Sequence, residues 1–426
     1  MLLPMFLIFF VMLAMGAPIA ITLGVAGTVA LAIGSNFDLS IVMQRMFFSI
    51  NSFPLMAIPF FMLCGAIMEQ GGISKRIIRL ADTLFGHLNG GLGIAGVAAT
   101  IIFASISGSA VATVAAIGAL VVPEMVRKGY KASLACASVA SAGITGVILP
   151  PSVLFVVYAA IAGVSVTDMF MGGYIPGLML GLSVMAVMYF RVKKLDLPKR
   201  EKATSQEVFV AFKEALLALF APVIIIVGIM GGIATPTEAG AVACVYAFIV
   251  GWVFFRELNI KLMMKALKDA AISASIILYL IATSSIFAWI MTVERVPQNV
   301  QTLFVNLTGN AYVLLFLIIL LLFLVGSFID AVPAITMVAP VLVPLARAYG
   351  IDLVHFGIIM CMTLAIGLLT PPVGSCLFVG CRLGKISVME LVAEIWPMLI
   401  ALLVVLFVCV YFPGIVMFIP NLVRSF

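Results

Sequence analysis

Two stretches of the chain interrupt an apolar helix in the same way, 221 residues apart. The first is Gly146-Val147-Ile148-Leu149-Pro150-Pro151-Ser152, inside an apolar run at about residues 131–161. The second is Gly367-Leu368-Leu369-Thr370-Pro371-Pro372-Val373, inside a run at about 353–381. Proline lacks the backbone donor and clashes with the carbonyl four residues back, so two in succession break a helix. In lipid, broken backbone is tolerated only where it faces protein or a water-filled cavity. A matched pair of Gly/Pro-broken membrane helices therefore points to a transporter's binding site.

The surrounding composition forces a membrane setting. The chain is 65% hydrophobic and 9% charged, which excludes an ordinary soluble domain. Its long unbroken apolar runs read as helices rather than alternating barrel strands. The net charge of +6 comes from loops and gives no basic, aromatic-interleaved surface for nucleic acid. The seven cysteines form no CxxC pair, and the two histidines, His87 and His355, stand far apart. They read as buried small residues and boundary residues, without a disulfide framework or a His/Cys metal centre.

The 221-residue shift holds across the neighbouring punctuation. It carries Pro123 to Pro344, Gly129 to Gly350, Gly163 to Gly384 and Pro176 to Pro397 without a gap. The chain thus contains two copies of one unit. The expected division is a first repeat at 1–190, a basic loop and amphipathic connector at 191–219, and a second repeat at 220–426.

Taken in order, a retained spanning helix is expected at about 5–33. An interfacial segment carrying Ile41, Met43, Phe47 and Phe48 follows, then a span at about 53–71. Lys75, Arg76 and Arg79 mark a surface helix at 73–88. Residues 90–126 read as a re-entrant hairpin whose tip is Ser105-Ile106-Ser107-Gly108-Ser109, and a helix is expected at about 168–190. Arg191, Lys193, Lys194, Lys199, Arg200 and Lys202 make the one clearly soluble loop. An amphipathic run at 207–219 then leads to helices at about 220–233 and 236–255. Lys261, Lys265 and Lys268 mark a second surface helix before a span at about 271–292. A second hairpin at 311–346, with its tip at Gly326-Ser327-Phe328-Ile329-Asp330, and a last span at 390–419 complete the pattern. If the basic loop is cytoplasmic, only Arg45, Arg295, Arg347 and Arg424 lie outside, leaving nineteen of the 23 Lys and Arg within. The same layout makes the repeats inverted, with the N-terminus cytoplasmic and the C-terminus periplasmic. The fold expected is an all-α polytopic membrane protein built from two inverted repeats.

Residues 146–152, the run Ala234-Thr235-Pro236-Thr237-Glu238-Ala239, His355-Phe356-Gly357-Ile358-Ile359 and Ile366–Gly374 together resemble the large membrane subunit of tripartite ATP-independent periplasmic (TRAP) transporters. The resemblance covers essentially the whole chain. It implies a sodium-driven importer of an organic acid, of the sialic acid or C4-dicarboxylate class, in the inner membrane of a Gram-negative bacterium. It implies an elevator mechanism of the ion transporter superfamily kind, with two or more sodium ions. It also implies two partners, a small four-helix membrane subunit and a periplasmic substrate-binding protein, each expected as a separate polypeptide.

Sodium prefers carbonyl and hydroxyl oxygens, and a helix break frees carbonyls. One ion site is expected from Ser105 and Ser107 with Gly146, Leu149 and Pro151. Its twin is expected from Gly326 with Gly367, Thr370 and Val373. A carboxylate suits the N-termini of half-helices. Ser107, Ser109 and Ser152 are the candidate donors, Ser107 and Ser152 foremost. Asp330, an acid at membrane depth, is a candidate for substrate contact or a helix cap. Thr235-Pro236-Thr237-Glu238 fits a capping box, as do Ser165 with Asp168 and Ser387 with Glu390. The absence of a Walker A loop or nucleophile elbow argues against an ATP-driven pump or a hydrolase. A partner-independent symporter and an ion channel remain as alternatives.

Overall fold

The computed structural model describes residues 1–34, 37–193, 195, 197 and 201–424. Lys194, Lys199 and Arg200 of the basic loop lie outside the described residues. Among the described residues, nine helices are long and apolar enough to cross a membrane.

The chain opens with α1 (Leu2–Ala14), α2 (Ile19–Gly34) and α3 (Ser40–Ile50), followed by α4 (Ala57–Gln70) and α5 (Ile73–Phe85). The first hairpin is α6 (Gly91–Ser107) and α7 (Ala110–Arg127). The first broken helix is α8 (Ala132–Gly143) with a 3-10 turn at Ile144–Val147, then α9 (Val153–Ala162), and α10 (Val166–Val192) closes this half. Two crossings, α11 (Ser205–Met230) and α12 (Pro236–Ile249), lead to α13 (Ile260–Val293) and α14 (Val296–Leu307). The second hairpin is α15 (Ala311–Phe328) and α16 (Ala331–Ala348), and the second broken helix is α17 (Leu353–Gly367) and α18 (Ser375–Gly384). The described chain ends with α19 (Val388–Tyr411) and α20 (Pro413–Arg424).

The shift of 221 read from the sequence maps α7 onto α16 residue for residue. It maps α6 onto α15, α8 onto α17, α9 onto α18 and α10 onto α19 with ends agreeing within three residues. Both Pro-Pro bonds, Pro150-Pro151 and Pro371-Pro372, are cis. The halves run in opposite senses. Arg191, at the end of α10, pairs with Glu394 near the start of α19, while Asp168, at the start of α10, pairs with Arg424 beyond the end of α19. Hairpin one opens toward the face that carries the basic loop and hairpin two toward the opposite face, so their tips meet inside.

The two broken helices lock together across the repeats. The Tyr158 hydroxyl of α9 donates to the Leu353 carbonyl at 2.7 Å. Its ring lies against Gly357, where a Cβ would sit 2.2 Å from the ring carbons. His355 Nε2 is 2.9 Å from the Cys409 carbonyl and ties α17 to α19.

Several expected boundaries are corrected. The single span at 5–33 is instead an antiparallel pair, α1 and α2. Pro18 disfavours helix at Ala17 and Gly16 takes a left-handed φ of +78°, so the chain reverses there. Met1 comes back against Gly34 and its amino group pairs with Glu294 at 2.9 Å. Glu294 follows α13, whose 34 residues run about 51 Å from the Glu257–Arg76 pair on the basic face. The N-terminus and the basic loop therefore occupy opposite faces, not the same one. The connector at 207–219 and the helix at 220–233 are one helix, α11, despite Pro222. The surface helix at Lys261–Lys268 and the span after it are likewise one, α13, whose first turns carry the lysines. The last span divides at Pro413 into α19 and α20. Thr235 with Glu238 and Ser387 with Glu390 form full capping boxes. Ser165 caps Asp168 N–H, but the Asp168 carboxylate is taken by Arg424.

Candidate functional site

Each hairpin tip sits on the break of its own repeat. At the first, Gly108 turns the chain with a left-handed φ of +63°. A Cβ there would lie 2.9 Å from the Pro151 carbonyl oxygen, so only glycine lets the tip rest on the break. Gly146 faces the Ser109 carbonyl oxygen and Thr113 Oγ1, each 3.2 Å from where its Cβ would be. At the second tip the Val373 N–H donates to the Ser327 carbonyl at 3.0 Å. Gly326 and Gly367 touch backbone to backbone, a Cβ on Gly367 falling within 2.7–2.9 Å of Gly326.

Tip and break thus meet in each repeat, Gly108 against Pro151 and Gly326 against Gly367. Thr370 Oγ1 donates to the Gly367 carbonyl at 2.7 Å, which leaves its lone pairs for a cation. Ser105 Oγ donates to the Ile102 carbonyl and Ser107 Oγ to the Ser109 carbonyl. Leu149 is held by its N–H to the Thr145 carbonyl at 2.7 Å. Sequence reading missed two hydroxyls of the first half: Thr113, whose Oγ1 faces Gly146, and Ser141 on α8 are buried, and their oxygens have no hydrogen-bond partner among the described residues. The available signal was position, since Thr113 lies one helical turn beyond Ser109 on the same face.

Between the tips lies a cavity of about 250 Å³. Hairpin one contributes Gly108, Ser109, Ala110 and Val111, and hairpin two contributes Asp330, Ala331, Val332 and Pro333. Val153 and Leu154 open α9 onto it, while Met62 of α4 and Ile276, Ile277 and Leu280 of α13 form the facing wall. Three helix N-termini thus converge on one small space, a setting that favours an anion. Ser109 caps α7 and Asp330 caps α16, Asp330 Oδ1 accepting from Ala331 N–H at 2.8 Å. The cap reading of Asp330 holds, and its carboxylate also borders the cavity.

Ser107 and Ser152 are not among the cavity's lining residues. The Ser152 hydroxyl is fully buried, donating to the Val147 carbonyl at 2.7 Å and accepting from Phe155 N–H at 3.4 Å. It caps α9, whose end faces the cavity, rather than facing it itself.

Inverted repeats, interrupted helices and a central cavity shared by two hairpins define a secondary-transporter permease rather than an enzyme. The chain belongs to the family described as "Tripartite ATP-independent periplasmic transporter, DctM component", which matches residues 6–415. It is 39% identical over 404 residues to the 2,3-diketo-L-gulonate TRAP transporter large permease protein YiaN of Escherichia coli, covering 95% of each chain. It is 36% identical over 407 residues to the sialic acid TRAP transporter large permease protein SiaM of Vibrio cholerae, covering 96% of this chain and 95% of that one. Identity to the isethionate TRAP transporter permease protein DctMQ of Oleidesulfovibrio alaskensis is 41% over 411 residues; the match takes in 96% of this chain and 65% of that protein's length. The fold is shared with the YdaH transporter of Alcanivorax borkumensis, at TM-score 0.63 and 16% identity, covering 96% of this chain and 98% of that one.

Proposed function

We propose that the chain is the transport subunit of a sodium-coupled importer of a small organic acid, of the C4-dicarboxylate or sialic acid class. The observation that carries this reading is the cavity lined by Ser109 of one repeat and Asp330 of the other. Ser109 and the N-termini of α7, α9 and α16 hold the carboxylate. Asp330 accepts from hydroxyl or amide groups of the acid, or stands beside a sodium ion. Sodium binds at the two tip-and-break clusters, the first widened by Thr113 and Ser141, the second centred on Thr370. Binding there ties each tip to its break, so ion and acid order the same elements. The hairpins and broken helices then slide as one body against α4 and α13, carrying the cavity across the membrane.

The setting proposed is a bacterial inner membrane with the basic loop in the cytoplasm, where Lys and Arg accumulate. The partners proposed are a small four-helix membrane subunit and a periplasmic binding protein that delivers the acid. The test is uptake into proteoliposomes holding the chain and the small subunit, with succinate, isethionate, N-acetylneuraminate and 2,3-diketo-L-gulonate each supplied with its binding protein. Saturable uptake that needs both an inward sodium gradient and the binding protein supports the reading. Uptake indifferent to the binding protein makes the chain a partner-independent symporter, and non-saturating conduction makes it a channel.

A further inference from the structure

A second, larger cavity of about 750 Å³ opens on the face opposite the basic loop. It continues the first along the same three helices. On α9 the lining passes from Val153 and Leu154 to Val157–Ala162, and on α13 from Leu280 to Ile281–Thr292. On α16 it passes from Asp330–Pro333 to Thr336–Arg347, seventeen residues or about 25 Å along the helix. This vestibule therefore lies outward of the inter-tip cavity along α9, α13 and α16.

Its charge is one-sided. Arg45 and Arg347 line it, and among the described residues no Asp or Glu does. Arg45 lies over the Trp289 ring at 5.6 Å, held by a cation–π contact that leaves its charge uncompensated. Neither arginine has an acidic partner within 4 Å among the described residues, whereas Arg424 on the same face is consumed by Asp168 and the terminal amine by Glu294. On a face poor in cations, both unpaired guanidiniums of this cavity stand at its walls. Ser284, Ser285, Thr292 and Thr336 add hydroxyls.

We propose that the vestibule is a capture station for the carboxylate of the incoming acid, which Arg45 and Arg347 hold before it descends to Ser109 and Asp330. The proposal rests on the organic-acid reading above, and low-dielectric walls focus the arginine field on the entrance. A thiol reporter tests it without transport. Thr292, exposed in the vestibule, is replaced in the full chain (Thr292→Cys). Its labelling by the anionic 2-sulfonatoethyl and the cationic 2-(trimethylammonio)ethyl methanethiosulfonates is timed, with the parent chain and its native cysteines as blank.

At low salt the anionic reagent should react about 10-fold faster than it does after Arg45→Gln and Arg347→Gln together. Lys at both positions should restore the rate, and succinate should protect the thiol only while the arginines are present. Salt near 1 M should erase the preference in the chain that keeps both arginines. A rate ratio unmoved by salt, or no protection by succinate, overturns the proposal without substituting either arginine. Because labelling needs no sodium gradient, its failure is distinct from a failure of uptake.

Discussion

The two helix breaks share a motif and a register, yet they are packed differently. Pro150, Pro151 and Ser152 are all buried, whereas Pro371, Pro372 and Val373 are exposed, Val373 at 43%. The cause lies in the last helix of each repeat. In α10, Gly173 and Gly177 lie against the first break. A Cβ on Gly173 would be 2.7 Å from the Ile148 carbonyl oxygen and 2.3 Å from the Phe155 ring, and one on Gly177 would be 2.7 Å from the Leu149 side chain. Glycine on that face lets backbone approach backbone, as small residues do between membrane helices. The equivalents in α19 are Glu394 and Met398, and α19 has no glycine. The second break is therefore left open, and Glu394 is engaged by Arg191 instead. One break is a sealed part of the core, and the other is exposed.

The tips differ in the same direction. Hairpin one turns through Gly108 and is capped by the neutral Ser109. Hairpin two passes through Ile329 in extended backbone and is capped by the charged Asp330. The largest expected effect is accordingly at Asp330. Asp330→Asn keeps the cap, because Asn and Asp cap equally well, but removes the charge. Sodium-driven uptake should fall by about 100-fold or more, with thermal stability in detergent unchanged. An Asn variant that transports normally would reduce Asp330 to its capping role.

Next in size are the glycines of the sealed break. Gly173→Ala should destabilise the protein by about 1–3 kcal/mol, the range for overpacking. Ala393→Ser, at an exposed position of α19 next to Glu394, the equivalent of Gly173, should cost less than about 0.5 kcal/mol. Thermal unfolding measures both, and equal losses would erase the contrast between the repeats. A smaller effect is expected at Thr370. Thr370→Val deletes one oxygen from the second ion cluster and should raise the sodium concentration for half-maximal uptake by about 10-fold, as for loss of one charge-assisted contact. An unchanged sodium dependence would remove Thr370 from the ligand set. The smallest perturbation is a cysteine at each break. Val373→Cys should react readily with a membrane-permeant maleimide and Ser152→Cys should not; comparable labelling would show that the first break is not sealed.

Much of this organisation is legible in the sequence, because Gly and Pro carry their constraints locally. The shift of 221 between Pro150-Pro151 and Pro371-Pro372 marks both breaks, and the capping box at Thr235–Glu238 fixes where α12 begins. Continuity between elements is less legible. Lys261, Lys265 and Lys268 look like a surface helix, yet they occupy the first turns of a helix that continues through Val293. At the N-terminus the apolar run hides a reversal that only Gly16 and Pro18 signal. The site divides in the same way. The pairing of tips and breaks follows from the repeat, and so do Ser109 and Asp330. The burial of Ser152, the glycine face of α10 and the convergence of Arg45 with Arg347 are tertiary facts, set by packing between segments distant in sequence.

The most direct test of the shared site is a double-mutant cycle on uptake driven by a sodium gradient, with Ser109→Ala, Asp330→Asn and the two combined. If residues from opposed repeats hold one molecule, their effects on the half-saturating substrate concentration should be coupled by about 1 kcal/mol or more. Strictly additive effects, or wild-type uptake in either single variant, would contradict a cavity shared between the two hairpins.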